Sequence, residues 1–355
     1  MRDNRTMHAK DELRVGVVGV GSFGRNHVRV YRDLQTDPSQ NVRLVGVVDS
    51  DVSLAQSVAK EFSTSAFRSI PELIQAGVQA VSVAIPTAVH LEVARQLMEK
   101  GVDVLVEKPV ATTLSEADQM IGLAERYGCI AQVGHLERFN PAVRATLPLL
   151  TQPMFFEVHR LSVFTPRSLD VDVVLDLMIH DIDIVLTFTK SAVKEIRAVG
   201  LPILSPRTDI ANVRMEFQSG CVANFTASRV STERVRKLRF FQPRQYVSLD
   251  YSRQDVLVLT IDGSEPDPAE LDPFNPTIVA SSALPGITPF KPEIAAQEPL
   301  RAELTSFLRS VRERSTPEVT LEDGRRALAV ATQVVEAIAE HSQLAHLPEL
   351  TRAKG

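Results

Sequence analysis

Gly19-Val20-Gly21-Ser22-Phe23-Gly24 is a G-x-G-x-x-G run that follows an apolar stretch and precedes a segment of helical period. Gly19 permits a tight turn, Gly21 lets the backbone approach a pyrophosphate, and Gly24 lets a helix close onto a strand. Ser22 and Phe23 lie where the helix begins, and amides at a helix N-terminus hold an anion. The run predicts a dinucleotide site. Twenty-five residues past Gly24 another apolar stretch ends at Asp49, where a carboxylate accepts a bond from the adenosine ribose 2′-hydroxyl. Ser50 and Asp51 follow, with no arginine to hold a 2′-phosphate, so the expected cofactor is NAD rather than NADP. An aspartate at this place also suits the cap of the next helix, and both readings of Asp49 stand.

Lys108 closes a further apolar stretch, Val106-Glu107-Lys108. Ligands bind beyond the carboxyl ends of strands in an open parallel sheet, so a lysine there can donate to a hydroxyl or a developing oxyanion. A solvated lysine at a strand end is the other reading. Asp176 and His180 are four residues apart in a long apolar segment and share a helix face. A carboxylate beside an imidazole fixes its tautomer and raises its basicity, as a general base requires. The same stripe, with Asp172 and Asp183 near it, also reads as the wet face of an amphipathic helix. No further ligand cluster accompanies it, so no metal is expected.

The elements that must hold these residues follow from period. Valine-rich runs at 14–18, 43–48, 80–85 and 103–106 are unbroken, as suits parallel strands covered on both faces. Helical segments at 27–34, 52–62, 71–75, 88–100 and 115–127 separate or follow them. This alternation predicts an α/β, doubly wound parallel sheet of Rossmann type over residues 1–128. Residues 129–355 read as an α+β substrate-binding and oligomerisation domain. A strand at 130–135, a short helix at 141–150, a strand at 154–162 and a buried helix at 172–189 lead into six closely spaced strands between 195 and 261. Short turns imply a mostly antiparallel open sheet. Proline-rich residues 264–299 read as a long loop, and helices at 300–311 and 321–341 close the chain. Thr320 and Asp323 form a cap-like pair before the last helix.

Composition sets the outer limits. The chain has 355 residues, 44% hydrophobic and 23% charged, enough for two domains with buried cores. With 39 basic against 44 acidic residues the net charge is −5, which gives no electrostatic footprint for nucleic acid. Two cysteines, Cys129 and Cys221, make neither a disulfide framework nor a metal pattern, and a reduced cytoplasm is expected. Residues 1–14 are too polar for a signal peptide, and no apolar run is long enough to span a membrane.

Four pieces in order, GVGSFGRNH at 19–27, IPTAVH at 85–90, EKP at 107–109 and DLMIH at 176–180, resemble the glucose–fructose oxidoreductase, inositol dehydrogenase and rhizopine-catabolism family (Gfo/Idh/MocA). The resemblance covers most of the chain. It implies NAD-dependent oxidation of a sugar or polyol CH–OH group. It also implies that Pro86, Thr87 and His90 lie along the nicotinamide half of the cofactor. Glu107 and Lys108 are then at the nicotinamide ribose and the reacting hydroxyl, and Asp176 and His180 face the substrate. Members differ on whether the lysine or the histidine takes the proton.

A narrower likeness joins residues 134–142, GHLERFNPA, and 176–183, DLMIHDID, to UDP-N-acetylglucosamine 3-dehydrogenases. That likeness implies a nucleotide-sugar substrate and makes Arg138 and Asn140 substrate candidates. Arg160 and Arg167 are candidates for the diphosphate, since a guanidinium forks onto phosphate, or else surface residues. Other sugars or polyols, such as inositol or a UDP-sugar acid, remain alternatives. So does an NAD-binding regulator without turnover, although Lys108, Asp176 and His180 are all kept. An antiparallel sheet uncovered on one face is a natural subunit interface, and a homodimer or homotetramer is expected.

Overall fold

The computed structural model describes residues 12–165, 171–261 and 286–345. The chain divides into two compact units: residues 1–139 with 297–330, and residues 140–296 with 331–355.

The first unit is built on β1 (Leu13–Val18), β2 (Val42–Val48), β3 (Ser65–Phe67), β4 (Ala80–Val83), β5 (Asp103–Glu107) and β6 (Ala131–Gly134). Every pairing is parallel, in the order β3-β2-β1-β4-β5-β6, the doubly wound order of dinucleotide-binding sheets. Helices α1 (Gly24–Gln35), α2 (Val52–Glu61), α3 (Ile70–Gln75), α4 (His90–Met98) and α5 (Leu114–Tyr127) connect the strands. Val15, Val17, Val81, Val83, Val104 and Val106 are all fully buried, which is why these runs carry no polar alternation. Thr113 and Glu116 form a capping box at the start of α5, and Gly128 ends it in the left-handed conformation at φ 64°.

The first unit does not end at residue 128. β6 pairs with β5 and extends it to Phe139, and residues 297–330 return to it. The helix Pro299–Glu313 places Leu300, Leu304, Phe307, Leu308 and Val311 in one cluster with Val28, Tyr31 and Leu34 of α1. Its apolar stripe needed a partner, and the sheet layer supplied it. At the next helix, Leu321–Leu344, Thr320 N–H donates to Asp323 and Asp323 N–H donates to the Thr320 hydroxyl, so the predicted cap forms reciprocally.

The second unit holds α6 (Pro141–Thr146), α7 (Ile179–Thr189) and an eight-stranded sheet. The strands are β7 (Phe155–Val163), β8 (Val193–Leu201), β9 (Ile210–Phe217), β10 (Val222–Ser231), β11 (Val235–Gln242), β12 (Gln245–Asp250), β13 (Asp255–Ile261) and β14 (Ile287–Phe290). Their order is β14-β13-β12-β11-β7-β10-β9-β8, antiparallel except for the parallel pair β7–β10. Alternate residues face the core: Phe156 and Val158 on β7, Ala223 and Phe225 on β10, Leu238 and Phe240 on β11. Phe188 of α7 packs on this face, 6.3 Å from Phe156 and 6.1 Å from Phe240.

Two details differ from expectation. Within the span read as a loop, Ile287–Phe290 forms an edge strand on β13, while residues 264–285 lie outside the described residues. The helix expected at 172–189 opens with a π-helical turn, Val174–Met178, before α7 begins.

Candidate active site

The glycine run sits at the carboxyl end of β1. Gly19 has φ +85°, and a Cβ there would lie 2.4 Å from the Ala84 carbonyl oxygen, so only glycine fits. A Cβ on Gly24 would lie 1.8 Å from Gly19 O, because α1 begins directly against the turn. At Gly21 a Cβ would meet nothing within 4 Å. That opening is what a pyrophosphate approaching the backbone requires. Phe23, the N-cap of α1, makes no side-chain cap bond, and the first turn has no acidic residue, so the positive helix end suits an anion. Ser22 and Phe23 are both exposed there.

Asp49 closes β2 beside this loop. Its Oδ2 accepts the Val20 N–H at 2.7 Å and its Oδ1 accepts the Asp51 N–H at 2.9 Å. The cap of α2 is Asp51, which accepts from the Ser53 and Leu54 amides. The structure thus separates the two readings of Asp49: it is fixed to the glycine loop and does not cap the helix. Oδ1 also accepts from the Ser50 hydroxyl at 3.4 Å, while Oδ2 has a second lone pair, so the group keeps acceptor capacity for a ribose hydroxyl. Loop, helix end and carboxylate together fit a dinucleotide.

Past β4, Pro86 is exposed and Thr87 half-buried, while His90 is fully buried. The His90 Nε2 lies 3.0 Å from Ile85 O and Nδ1 lies 3.3 Å from Val110 O. Burial holds its pKa below the usual histidine range. Both ring nitrogens therefore face backbone carbonyls, and the ring is enclosed within the protein. Past β5, Glu107 is turned inward: its Oε1 lies 3.1 Å from Nε2 of buried His27. A Cβ on Gly134 would come within 2.6 Å of that oxygen, so glycine makes room for it. Successive strand residues point to opposite faces, and Lys108, the next residue, is half-buried at the strand end. Sequence reasoning missed the neighbouring Glu303, which is fully buried with neither carboxyl oxygen hydrogen-bonded among the described residues. Burial, and then the charge of Glu107, push its pKa well above the usual carboxyl range.

In the second unit Asp176 lies in the π-helical turn and His180 in the first turn of α7, both half-buried. Single π turns inside helices recur at functional sites. The entry to this segment is pinned from the sheet. The Thr208 N–H donates to Asp172 Oδ1 at 3.0 Å, the Val173 N–H donates to Thr208 O at 2.9 Å, and Arg229 donates to Val171 O.

The other expected substrate residues are largely committed elsewhere. Arg160 lies on the inward face of β7, 2% exposed, with Nε 2.6 Å from Asp181 Oδ2 and NH2 2.8 Å from Oδ1. Its guanidinium also stacks 5.1 Å from the Tyr251 ring centroid. It is a core ion pair and not a diphosphate ligand. Asn140 is buried, caps α6 through the Ala142 amide, and donates to Tyr251 O at 3.0 Å. That role is structural rather than substrate-facing. Arg138 pairs with Asp323 at 3.5 Å. Arg167 lies outside the described residues. Among the described residues no group of three or more His, Cys, Asp and Glu is placed for a metal, and no helix is long and apolar enough to cross a membrane.

Residues 13–135 match the oxidoreductase family with an NAD-binding Rossmann fold, and residues 153–244 match the Gfo/Idh/MocA C-terminal domain. UDP-N-acetylglucosamine 3-dehydrogenase from Acidithiobacillus ferrooxidans is 35% identical over 327 residues, covering 92% of this chain and 97% of that protein. This chain belongs to the Gfo/Idh/MocA family of oxidoreductases. As a Gfo/Idh/MocA enzyme it is an NAD-dependent dehydrogenase, with its first unit as the NAD-binding fold. The solved structure of the Acidithiobacillus ferrooxidans enzyme superposes with a TM-score of 0.83 at 34% identity, covering 93% of this chain and 99% of that one. The scyllo-inositol 2-dehydrogenase (NAD(+)) of Bacillus subtilis is 26% identical, covering 62% of this chain and 68% of that protein. A levoglucosan dehydrogenase in complex with NADH and levoglucosan shares the fold at 17% identity, with a TM-score of 0.78 over 93% of this chain and 98% of that one.

Proposed function

We propose that this dehydrogenase oxidises carbon 3 of UDP-N-acetylglucosamine to the 3-keto sugar. It would act in the cytoplasm, ahead of an aminotransferase that installs an amine for lipid A or a related glycan. The observation that carries the reading is the full-length relative of that activity, 35% identical over 97% of its length. The chain also keeps Lys108, Asp176 and His180. The inositol dehydrogenase relative makes another sugar or polyol the second reading.

When bound, NAD⁺ supplies the acceptor for the hydride that leaves the carbon. The glycine loop and Asp49 would hold its pyrophosphate and adenosine ribose, and Pro86 and Thr87 would border the nicotinamide half. His180, oriented by Asp176, takes the hydroxyl proton; a positioned base contributes about 10²–10⁴-fold. Lys108 stabilises the alkoxide. Arg138 and Arg167 are the arginines assigned to the sugar nucleotide.

The outer face of the second unit's sheet carries an aromatic group, Phe155, Phe241 and Tyr246, with ring centroids 5.6 Å and 5.1 Å apart in sequence. Phe241 is 38% exposed, and we assign this face to a homodimer or homotetramer interface. A light-scattering mass equal to one chain at micromolar concentration would contradict it.

The test of the reaction is NADH absorbance with purified protein, NAD⁺ and UDP-N-acetylglucosamine, run in parallel with a carbonyl trap or the matching aminotransferase. A signal lost in Lys108→Ala and His180→Ala supports substrate and site together. Clear NAD binding without turnover moves the substrate to another sugar or polyol.

A further inference from the structure

β4 and β5 are hydrogen-bonded neighbours up to the pair Val83–Val106. Beyond that pair the strands end, at Val83 and Glu107, and among the described residues the strand pairing does not continue. Yet these two trailing segments carry Pro86 and Thr87 on one side and Lys108 on the other. Something other than the sheet must set their separation.

The structure assigns that task to His90: its buried ring is wedged between the Ile85 carbonyl behind β4 and the Val110 carbonyl behind β5, donating to one and packing against the other, and so fixes the spacing between Pro86–Thr87 and Lys108. The distances are 3.0 Å from Nε2 to Ile85 O and 3.3 Å from Nδ1 to Val110 O. Ile85 is one residue before Pro86, and Val110 is two residues after Lys108. The ring is 0% exposed, so water does not compete for either carbonyl. The neutral ring has one N–H and so bonds one carbonyl; its other nitrogen is an acceptor and meets the second carbonyl through packing alone. The tie reaches the glycine loop as well. A Cβ on Gly19 would strike Ala84 O at 2.4 Å and Ile85 Cγ2 at 2.5 Å, so the Ala84–Ile85 backbone already rests on the turn. His90 is thus a positioning residue that acts through two loops, its ring nitrogens facing backbone only.

The inference rests on the proposed roles of Lys108 and the Pro86–Thr87 segment, and its test is chosen to stand apart from the choice of sugar. His90→Phe keeps a ring and removes both nitrogens; His90→Gln keeps a donor. Hydrogen–deuterium exchange read by mass spectrometry should show faster exchange in residues 84–90 and 108–112 of His90→Phe, with β1 and β2 unchanged. His90→Gln should return part of the protection. On whichever substrate the wild type turns over, kcat of His90→Phe should fall about tenfold to hundredfold at saturating NAD⁺, since small misplacements near the chemistry cost that much. KM for the sugar should change much less, and His90→Gln should recover part of kcat. A His90→Phe protein that loses melting temperature but keeps the exchange pattern and kcat would overturn the assignment. So would a variant in which only NAD⁺ affinity falls. Should His90→Phe fail to fold, His90→Gln alone decides, by the same two readouts. A wild type inactive on UDP-N-acetylglucosamine refutes that substrate and leaves the exchange test standing.

Discussion

The backbone N–H of Val20 donates to Asp49 Oδ2 at 2.7 Å, so the acid that closes β2 is bonded into the glycine turn that closes β1. The glycine turn and the Asp49 carboxylate are therefore bonded to each other. Asp49→Asn keeps the acceptor for Val20 and removes the charge. NAD⁺ affinity should fall about tenfold to hundredfold, the range for one charged hydrogen bond. Discrimination against NADP⁺ should narrow, because the repulsion of a 2′-phosphate is gone. Titration with both dinucleotides checks this, and an unchanged ratio of affinities would count against the ribose role.

Two glycines of one motif should fail in different ways. At Gly24 an added Cβ meets the Gly19 carbonyl at 1.8 Å, so α1 must move. Gly24→Ala should lose about 1–3 kcal/mol of stability, as overpacking does, together with NAD⁺ binding. At Gly21 an added Cβ meets no protein atom within 4 Å. Gly21→Ala should melt like the wild type and still bind NAD⁺ poorly. Melting curves with and without NAD⁺ separate the two cases.

Arg160 and Asp181 form a forked ion pair with side chains only 3% and 2% exposed. Removing one partner leaves a buried charge. Arg160→Ala should cost about 3–5 kcal/mol by urea unfolding. Arg160→Met with Asp181→Leu should recover much of that loss. If Arg160→Ala instead left stability intact and raised only the KM for a nucleotide sugar, Arg160 would be a phosphate ligand after all.

Glu303 predicts a pH dependence. Burial, then the charge of Glu107, raise its pKa in the folded state. The folded protein keeps a proton that the unfolded chain releases above a pKa of about 4.3. The unfolded state then binds fewer protons, so this group lowers stability as pH rises from that value towards the raised folded pKa. Glu303→Gln cannot ionise. Its urea midpoint should exceed that of the wild type by a margin that grows as pH rises above the unfolded-state pKa of about 4.3. A margin constant across that rise would place the proton elsewhere.

Much of this was legible without coordinates. Unbroken valine runs determined a parallel sheet whose carboxyl-end edge carries Gly19, Asp49 and Lys108, because a strand buried on both faces admits no polar alternation. Gly24 was readable for a local reason, since the carbonyl it must clear belongs to Gly19, whereas Gly19 itself answers to Ala84 and Ile85, far away in sequence. What the tertiary structure alone decided was where polar groups spend their bonds. Arg160 faces inward to an aspartate 21 residues away, His90 to carbonyls in the segments that follow two strands, and Asn140 to Tyr251, none of which local spacing reveals. The helix Pro299–Glu313 likewise packs on α1, far away in sequence, because an amphipathic stripe states that it needs a partner and not which one.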